Sequence, residues 1–539
     1  MKIKITVKAS GATLAFDDND NECFALQREE NGSEFGLIIT AKRDITLIGA
    51  ETAIPFKFGK KDLIMANGYQ SWTETKEFAR GENRRNLDVL PKKTLRDYAF
   101  KSYGSQYFHK ERKGVITAVD YAYVKGEREF FIGNLNFKNA YLIADFIRKE
   151  NKIAVFSDVF GRKLKSGETF CVFRFTVSDS AKFGEGDYFN GFTPRSSRKL
   201  FGYTSWYNHY QNINSGVITA AFKNADDRFD LFQIDDGFET FVGDWLSVDK
   251  NKFPDGLAPI VKDIHDAGKL AGIWLAPFAA EENSEIFKIH PDWFAKNENG
   301  EFIKAGCNWS GFYSLDLNIP QAVEYVKRVF AEYKGLGFDF FKLDFLYCCN
   351  LKPLCGKTRA ETAEYAYSLI QSELSDKLIL GCGAVLSSAF GKFDYMRIGP
   401  DVSLKFDDVW YMRFMHPERI STKVTLQNTI YRSAMNGRTF MNDPDVFLLR
   451  DDNISLSKKR RYALTKINAL FGSLLMTSDN PKTYDREKSE ILSEALNLFK
   501  NGSVQNFCRK GRIIEVFFTV GGRTEKFGYD VKKGVIVYG

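Results

Sequence analysis

Short apolar runs alternate with helical patterns through the middle of the chain. Residues 231–234, 270–275 and 338–345 are dense apolar runs of strand length, and residues 320–333 carry apolar side chains at helical spacing. Eight strand candidates of this kind follow one another, with helical stretches between them. Strands that alternate with helices build a parallel sheet, so the pattern predicts a (β/α)8 TIM barrel over residues 195–480.

The regions on either side of this barrel follow a strand pattern instead. Residues 1–190 hold short alternating runs, such as 114–124 and 170–177, with turn residues between them. That spacing is typical of an antiparallel sandwich, and residues 485–539 return to short strands with glycine turns. The sequence therefore predicts a multidomain α/β + β protein with an N-terminal β-sandwich domain, a central barrel and a small C-terminal antiparallel β domain.

Composition and charge exclude several classes of function. The net charge of +7 is small for 539 residues, and we find no basic run with interleaved aromatics, which disfavours a nucleic-acid partner. No apolar window of about 18 residues predicts a membrane span. Eight cysteines without framework spacing, and a start without the apolar segment of a secretion signal, predict a cytoplasmic protein. The sequence leaves the oligomeric state open; the aromatic N-terminal domain permits a homo-oligomer.

Polar side chains follow many of the predicted barrel strands. In a barrel of this kind the active site lies at the carboxyl ends of the strands. One carboxylate there would be an ordinary cap or salt bridge, and Lys342 with Asp344 alone could be a structural ion pair. Four carboxylates with a lysine and an arginine cost several kcal/mol to desolvate unless they are paired, and stability does not require them. The strand-end residues are Trp206, Asp235, Asp236, Lys342, Asp344, Cys382, Arg397 and Asp401.

This set of side chains indicates sugar chemistry. A pocket with many hydrogen-bonding groups and an aromatic wall suits a sugar. Two carboxylates at opposing strand ends suit glycoside hydrolysis, in which one attacks the anomeric carbon and the other protonates the leaving oxygen. Lys342 beside Asp344 would favour an ionised nucleophile, and Arg397 could orient Asp401. We expect no metal and no cofactor, because no histidine lies among these strand ends.

One N-terminal segment differs from the strands around it. Residues 67–73 are polar and aromatic without alternation, which indicates a loop that presents the large side chain of Trp72. Packing of Trp72 in the core of the sandwich is the alternative.

Taken together, the motifs resemble those of the glycoside hydrolase family 36 α-galactosidases, of the short bacterial, melibiase-like type. The resemblance covers essentially the whole chain, in the family's three-domain order. Single motifs such as Asp-Asp-Gly are weak, but the set in this order is specific. The matching segments are residues 68–72, 203–207, 234–238, 243–245, 272–277, 342–345, 381–383 and 396–401.

The resemblance implies a role for each matching residue. It makes Asp344 the nucleophile and Asp401 the general acid/base of a retaining double displacement. Asp235 and Asp236 would hold the 4- and 6-hydroxyls of galactose. The other implied contacts are ring hydroxyls for Lys342 and Arg397, the region of the 2-hydroxyl for Cys382 and Gly383, and the walls of the site for Trp72, Trp206 and Trp274.

The predicted activity is exo-acting hydrolysis of terminal α-D-galactosyl residues from oligosaccharides of the melibiose and raffinose type. Residues 381–384 and 399–401 depart from the longer family members, so α-N-acetylgalactosaminidase activity of the same mechanism stays an alternative. The thiol of Cys382 favours a plain 2-hydroxyl. A non-catalytic sugar-binding barrel is disfavoured because both aspartates are present. The natural oligosaccharide, the leaving-group preference and transglycosylation stay open.

Overall fold

The computed structural model describes residues 2–17 and 19–539, apart from the side chains of residues 182 and 183. Its central sheet has nine strand segments, all parallel to their neighbours. Every predicted strand position is occupied. In spatial order the segments are Met441–Asp443, Tyr395–Arg397, Leu378–Gly381, Phe340–Leu343, Leu270–Leu275, Leu231–Ile234, Leu200–Thr204, Leu474–Thr477 and Val446–Phe447.

The two edge segments of this sheet are consecutive in the chain. Met441–Asp443 pairs with Tyr395–Arg397, and Val446–Phe447 pairs with Leu474–Thr477. Only Pro444 and Asp445 separate the two segments. They are therefore two halves of one broken strand that joins both edges of a curled, TIM-barrel-like sheet.

Helices lie between these strands, as the pattern predicted, with ends within two or three residues of the expected ones. A capping box fixes the start of the helix Arg359–Glu373. The side chain of Thr358 accepts a hydrogen bond from the amide of Glu361, and the side chain of Glu361 accepts one from the amide of Thr358. The barrel helices are Ser215–Lys223, Ala258–Asp266, Pro320–Gly335, Arg359–Glu373, Thr422–Tyr431 and Lys458–Phe471. Shorter ones are Trp206–His209, Glu285–Ile289 and Trp410–Met415.

Two antiparallel sheets precede the barrel and share one hydrophobic core. Ile3, Ile5 and Val7 alternate into that core. The first sheet contains Ala12–Asp17, Ile3–Ala9, Ile45–Pro55, Lys152–Ser157, Leu142–Ile147, Ile116–Val119 and Lys163–Leu164. The second contains Phe24–Asn31, Glu34–Ala41, Thr169–Ser178, Phe130–Asn134, Tyr121–Lys125, Leu63–Ala66 and Lys76–Phe78. The helices of this region are Lys92–Tyr98 and Ala181–Asn190.

The C-terminal region differs from the prediction at its start. Alternating strands were expected from about residue 490, but Arg486–Asn501 is a helix that packs against Lys458–Phe471. Its buried Leu492, Ala495 and Phe499 recur at helical rather than strand spacing, and the side chain of Asp485 caps it. An antiparallel four-stranded sheet follows: Ser503–Lys510, Ile513–Val520, Arg523–Asp530 and Val535–Tyr538.

A small three-stranded antiparallel sheet is inserted after the third barrel strand. It consists of Ala279–Glu281, Phe312–Ser314 and Lys304–Gly306. Short 3-10 turns complete the chain at Leu87–Val89, Phe100–Tyr103, Ser105–Tyr107, Arg148–Glu150, Pro291–Trp293, Leu346–Asn350, Ser387–Ala389, Ser433–Met435 and Pro481–Thr483. Over the described residues, no helix combines the length and apolarity that crossing a bilayer requires.

Candidate active site

The floor of the barrel mouth is a buried ion pair between two strands. Nζ of Lys342 lies 2.7 Å from Oδ2 of Asp235. The same oxygen accepts hydrogen bonds from Thr204 Oγ1 at 3.2 Å and Gln233 Nε2 at 3.0 Å. Lys342 therefore pairs with the carboxylate at the end of the strand two places away in the sheet, rather than with Asp344 at the end of its own strand. The ion pair thus links two strand ends and places a cation at the barrel mouth.

Asp344 follows the fourth barrel strand and is half-buried. Phe345, next in the chain, has φ +53°, which turns the chain away from the strand. Oδ1 of Asp344 accepts a hydrogen bond from the amide of Phe345 at 2.9 Å, and Oδ2 accepts one from Trp274 Nε1 at 3.1 Å. Both donors fix the orientation of the carboxylate.

The pKa of Asp344 departs from the sequence expectation. Burial raises the pKa of this carboxyl to about 6, and the negative charge of Asp401 adds to the effect. Lys342 and the Trp274 hydrogen bond lower the pKa, as expected of groups that favour the anion, but burial outweighs them. Asp344 is therefore ionised at neutral pH and protonated in mild acid.

Arg397 joins three carboxylates at the opposite side of the mouth. Its Nη1 lies 2.8 Å from Asp401 Oδ1, its Nε 2.7 Å from Asp443 Oδ2 and its Nη2 2.9 Å from Asp445 Oδ1. The side chain of Asp401 is 29% exposed, whereas those of Asp443 and Asp445 are at most 1% exposed. The predicted orientation of Asp401 by Arg397 is present, and it leaves the Arg397 guanidinium largely committed to protein partners.

Sequence reasoning missed Asp445, which lies in the break of the seventh strand. Its Oδ2 accepts hydrogen bonds from the amide of Val402, at 2.6 Å, and from the hydroxyl of Tyr207. Burial raises the pKa of Asp445, although Arg397 acts against this. Asp445 thus holds both Arg397 and the residue that follows Asp401. The Asp443-Pro444-Asp445 motif is the sequence signal that could have identified it, because proline interrupts a strand.

Asp236 accepts a hydrogen bond from Trp309, a residue that sequence reasoning also missed. Trp309 Nε1 donates to Asp236 Oδ2 at 3.0 Å, and Gln211 Nε2 donates to both carboxylate oxygens at 3.0 and 3.2 Å. Trp309 has φ +54°, a strained conformation for a bulky residue. It lies between two strands of the inserted sheet, and its ring packs 6.2 Å from that of Trp274 and 5.1 Å from that of Phe345.

The segment around Trp72 reaches the barrel, which answers the question left open by the sequence. Trp72 packs at 5.1 Å against the ring of Phe345 and belongs to the core of the barrel rather than that of the two N-terminal sheets. The amide of Gly383 donates to Ser71 Oγ at 2.8 Å, and the amide of Ser71 donates to the carbonyl of Ala384 at 3.0 Å. Trp72 thus packs beside the strand end that carries Asp344.

Cys382 and Gly383 lie beneath Trp72, at the end of the fifth strand. Gly383 has φ +61°, and a Cβ there would come 3.0 Å from the indole of Trp72. Cys382 is buried, and burial raises the pKa of its thiol well above the usual value. The cysteine is therefore a neutral group beside Asp344.

Of the remaining predicted residues, Trp206 is half-buried at the start of the short helix after the first strand. Its ring packs edge-on against Tyr210 at 5.1 Å. The floor of the site is formed by buried polar side chains, namely Asp235, Asp236, Lys342 and Arg397. The rim is formed by half-buried side chains, namely Trp206, Trp309, Asp344 and Asp401. This arrangement can bind a polyhydroxylated ring at its floor and place two carboxylates at the opening.

Comparison with known proteins gives consistent results. Residues 199–397 match the family model described as Melibiase. An α-galactosidase of Escherichia coli is 30% identical over 134 residues, which are 23% of this chain and 18% of that protein. The chain thus matches less than a fifth of the length of this curated relative.

Two solved structures show the same fold. The α-galactosidase of Thermus thermophilus, solved with p-nitrophenyl α-D-galactopyranoside, has a TM-score of 0.72 at 22% identity and covers 97% of this chain and 98% of its own. The family 36 α-galactosidase AgaA of Geobacillus stearothermophilus has a TM-score of 0.62 at 13% identity, and the alignment covers 93% of this chain and 72% of AgaA. The chain therefore carries a match to the Melibiase family model over residues 199–397 and has the fold of these α-galactosidases.

Proposed function

We propose that this protein is an exo-acting, retaining α-galactosidase, with Asp344 as nucleophile and Asp401 as general acid/base. The observation that carries the proposal is the orientation of Asp344 by Trp274 and the main chain, together with a half-buried Asp401 that is ion-paired with Arg397 and whose charge acts on Asp344. The melibiase match over the same strands supports it.

The reaction proceeds in two displacements. In the first, an oxygen of Asp344 attacks the anomeric carbon, the bond to the leaving oxygen breaks, and Asp401 gives that oxygen its proton. In the second, Asp401 takes a proton from water, and the water oxygen displaces Asp344 from the anomeric carbon. Two inversions restore the α-configuration.

The protonation state of Asp344 fits the role of nucleophile. Attack requires the anion, and a pKa of about 6 leaves Asp344 ionised at neutral pH. A partly desolvated carboxylate is also a stronger nucleophile than a fully hydrated one. Lys342 and the indole N–H of Trp274 keep the anion accessible despite its burial.

The floor of the site supports recognition of one terminal sugar. Asp235 and Asp236 offer acceptors, and Lys342 offers a donor, to the hydroxyls of the ring. The indoles of Trp72, Trp274 and Trp309 surround this floor, and Trp206 lies farther out. Because the floor is closed by the barrel, a chain end rather than an internal residue fits, which is the basis of exo-action.

Space at the 2-position favours galactose over its N-acetylated analogue. Trp72 packs so closely on Gly383 that even a Cβ there would be tight. The resemblance implies that Gly383 lies beside the 2-hydroxyl, and an acetamido group at that position would compete with this contact. The substrates we propose are therefore α-galactosides such as melibiose and raffinose.

We also propose the three-domain division of the chain. Residues 195–480 would form the catalytic (β/α)8 barrel, residues 1–190 a β-sandwich that contributes Trp72, and residues 485–539 a C-terminal domain of one helix and a four-stranded antiparallel sheet. The cytoplasmic location and a homo-oligomer remain predictions from the sequence.

The test is hydrolysis of melibiose, raffinose and p-nitrophenyl α-D-galactoside, followed by NMR as the reaction starts. We expect α-galactose as the first product, which then mutarotates. β-Galactose as the first product would contradict the retaining mechanism. Cleavage of the p-nitrophenyl α-N-acetylgalactosaminide alone would contradict the assignment of the 2-position.

A further inference from the structure

Glu239 is a buried carboxyl group that the proposed mechanism does not use. It follows Asp236 by three residues and is 5% exposed. Its Oε2 accepts the amide of Gly237 at 3.3 Å. Its Oε1 is sealed from solvent and receives no N–H or O–H donor from the part of the chain that the structure describes.

The side chain of Glu239 lies in hydrogen-bonding contact with the side chain of Asp236. Two ionised carboxylates have only acceptors, so this contact requires one proton between them. Asp236 already accepts hydrogen bonds from Gln211 and Trp309, and both donors favour its ionised form. The proton therefore belongs to Glu239.

We propose that Glu239 is a positioning residue whose neutral carboxylic acid donates a hydrogen bond to Asp236 and fixes it as an oriented acceptor for a substrate hydroxyl. The role at the substrate rests on the proposed function, whereas the proton on Glu239 does not. With Gln211 and Trp309, Glu239 gives Asp236 a third donor, so that the carboxylate keeps one orientation without a bound sugar.

The surroundings of Glu239 agree with a neutral group. Burial and the charge of Asp236 raise the pKa of Glu239 well above its usual value, and the amide of Gly237 lowers it only in part. Tyr333, from the helix behind, also faces Glu239, and Asp235 lies next to Asp236. Lys252 Nζ donates to the main-chain carbonyl of Gly237 at 2.9 Å.

Two variants separate the proposal from a purely structural role. In Glu239→Gln the amide keeps an N–H donor towards Asp236 at every pH, whereas Glu239→Ala removes the donor. We expect KM for p-nitrophenyl α-galactoside to rise about tenfold or more in Glu239→Ala, with kcat less affected, and to stay within about threefold of wild type in Glu239→Gln. Tyr333→Phe, which alters the neighbouring side chain only, is the control for packing.

Equal loss in both variants, or no change in Glu239→Ala, would overturn the positioning role. If wild type cleaves no α-galactoside, the proposed function fails. The pH dependence of thermal stability still shows whether Glu239 carries a proton. A carboxyl with a raised pKa in the folded state stabilises the protein fully only below its unfolded pKa, near 4.5. Wild type should therefore lose Tm relative to Glu239→Gln as the pH rises from about 4.5 to 9. A Tm difference that is constant with pH would overturn the proposal.

Discussion

The ammonium group of Lys342 lies 2.7 Å from a carboxylate oxygen of Asp235, although the strand Leu270–Leu275 separates the two strands that carry them. Lys342 is 4% exposed and Asp235 is 2% exposed. A pair buried to this degree gains little over apolar residues of the same shape, but it becomes costly when one partner is removed.

Lys342→Met should therefore leave the charge of Asp235 unpaired and lower the free energy of unfolding by about 3–5 kcal/mol. Asp235→Asn should destabilise for the same reason. The double variant should be more stable than the sum of the two single effects predicts, because no uncompensated charge remains. Urea unfolding of all four proteins measures this, and additive effects would contradict a direct pair.

The pH dependence of hydrolysis should carry the titration of Asp344. Its pKa is raised to about 6, so kcat/KM on p-nitrophenyl α-galactoside should fall as the pH drops through about 6 and the nucleophile gains a proton. Trp274→Phe removes a donor that favours the anion, so the acid limb should move to higher pH. Trp245→Phe, an indole that packs on Trp274, is the control, and an equal shift in both would contradict the role of the hydrogen bond.

The ionised carboxylate of Asp344 should also lower the free energy of unfolding at neutral pH, because it is buried. Because its folded pKa is raised above the usual 3.8, its contribution to stability is complete below about pH 4 and is lost as the pH rises through about 6. Asp344→Asn should therefore raise Tm relative to wild type at pH 7.5 more than at pH 4. Thermal unfolding at the two pH values decides this, and a larger gain at pH 4 would contradict it.

Asp445 should affect catalysis through Asp401, the proposed general acid/base, because it binds Val402, the next residue in the chain. Asp445→Asn retains an acceptor for the amide of Val402 and the hydroxyl of Tyr207, whereas Asp445→Ala removes it. We expect Asp445→Ala to lower kcat by about tenfold or more, and Asp445→Asn to lower it less, since Asp401 is held through its neighbour. Equal kcat values in the two variants would show that the acceptor does not position Asp401.

The segment that carries Trp72 depends on one arginine of the barrel. Arg432 is fully buried and donates to the carbonyls of Ser71, Gln70 and Ile398 and to the side chain of Asn67. Burial lowers its pKa to about 9. Arg432→Met should leave these acceptors unpaired, destabilise the protein by about 3 kcal/mol or more, and expose the Trp72 segment to proteolysis.

The control for that variant is Arg438→Met, which removes a half-buried arginine that donates to the carbonyl of Ala434, four residues earlier in the chain. Cleavage of both variants at the same rate under limited proteolysis would contradict a specific link between Arg432 and the Trp72 segment.

The barrel and most of its strand-end residues could be predicted from the sequence, because periodicity and strand ends are local signals. Asp235, Lys342 and Asp344 each follow a dense apolar run, so their place at the barrel mouth follows from topology. The pairing of Lys342 could not be predicted, because Asp344 is its neighbour in sequence whereas Asp235 follows a strand two places away in the sheet, and only the curl of the sheet brings Asp235 to the ammonium group.

Residues outside the strand pattern were missed for a different reason. Trp309 lies in an inserted sheet whose position depends on tertiary packing, and Glu239 lies in a loop after its strand. The helix Arg486–Asn501 was mistaken for strands because the pattern of the following sheet was extended backwards over it. Each error concerns a segment whose position is fixed by contacts with another part of the chain.

The measurement that tests the central claim most directly is hydrolysis of p-nitrophenyl α-D-galactoside by wild type and by Asp344→Ala, with azide added to the variant. We predict activity in wild type, its loss in Asp344→Ala, and recovery with azide as β-galactosyl azide, because azide occupies the place of the missing nucleophile. An Asp344→Ala protein that folds and keeps its full activity without azide would contradict the assignment of the nucleophile and the mechanism built on it.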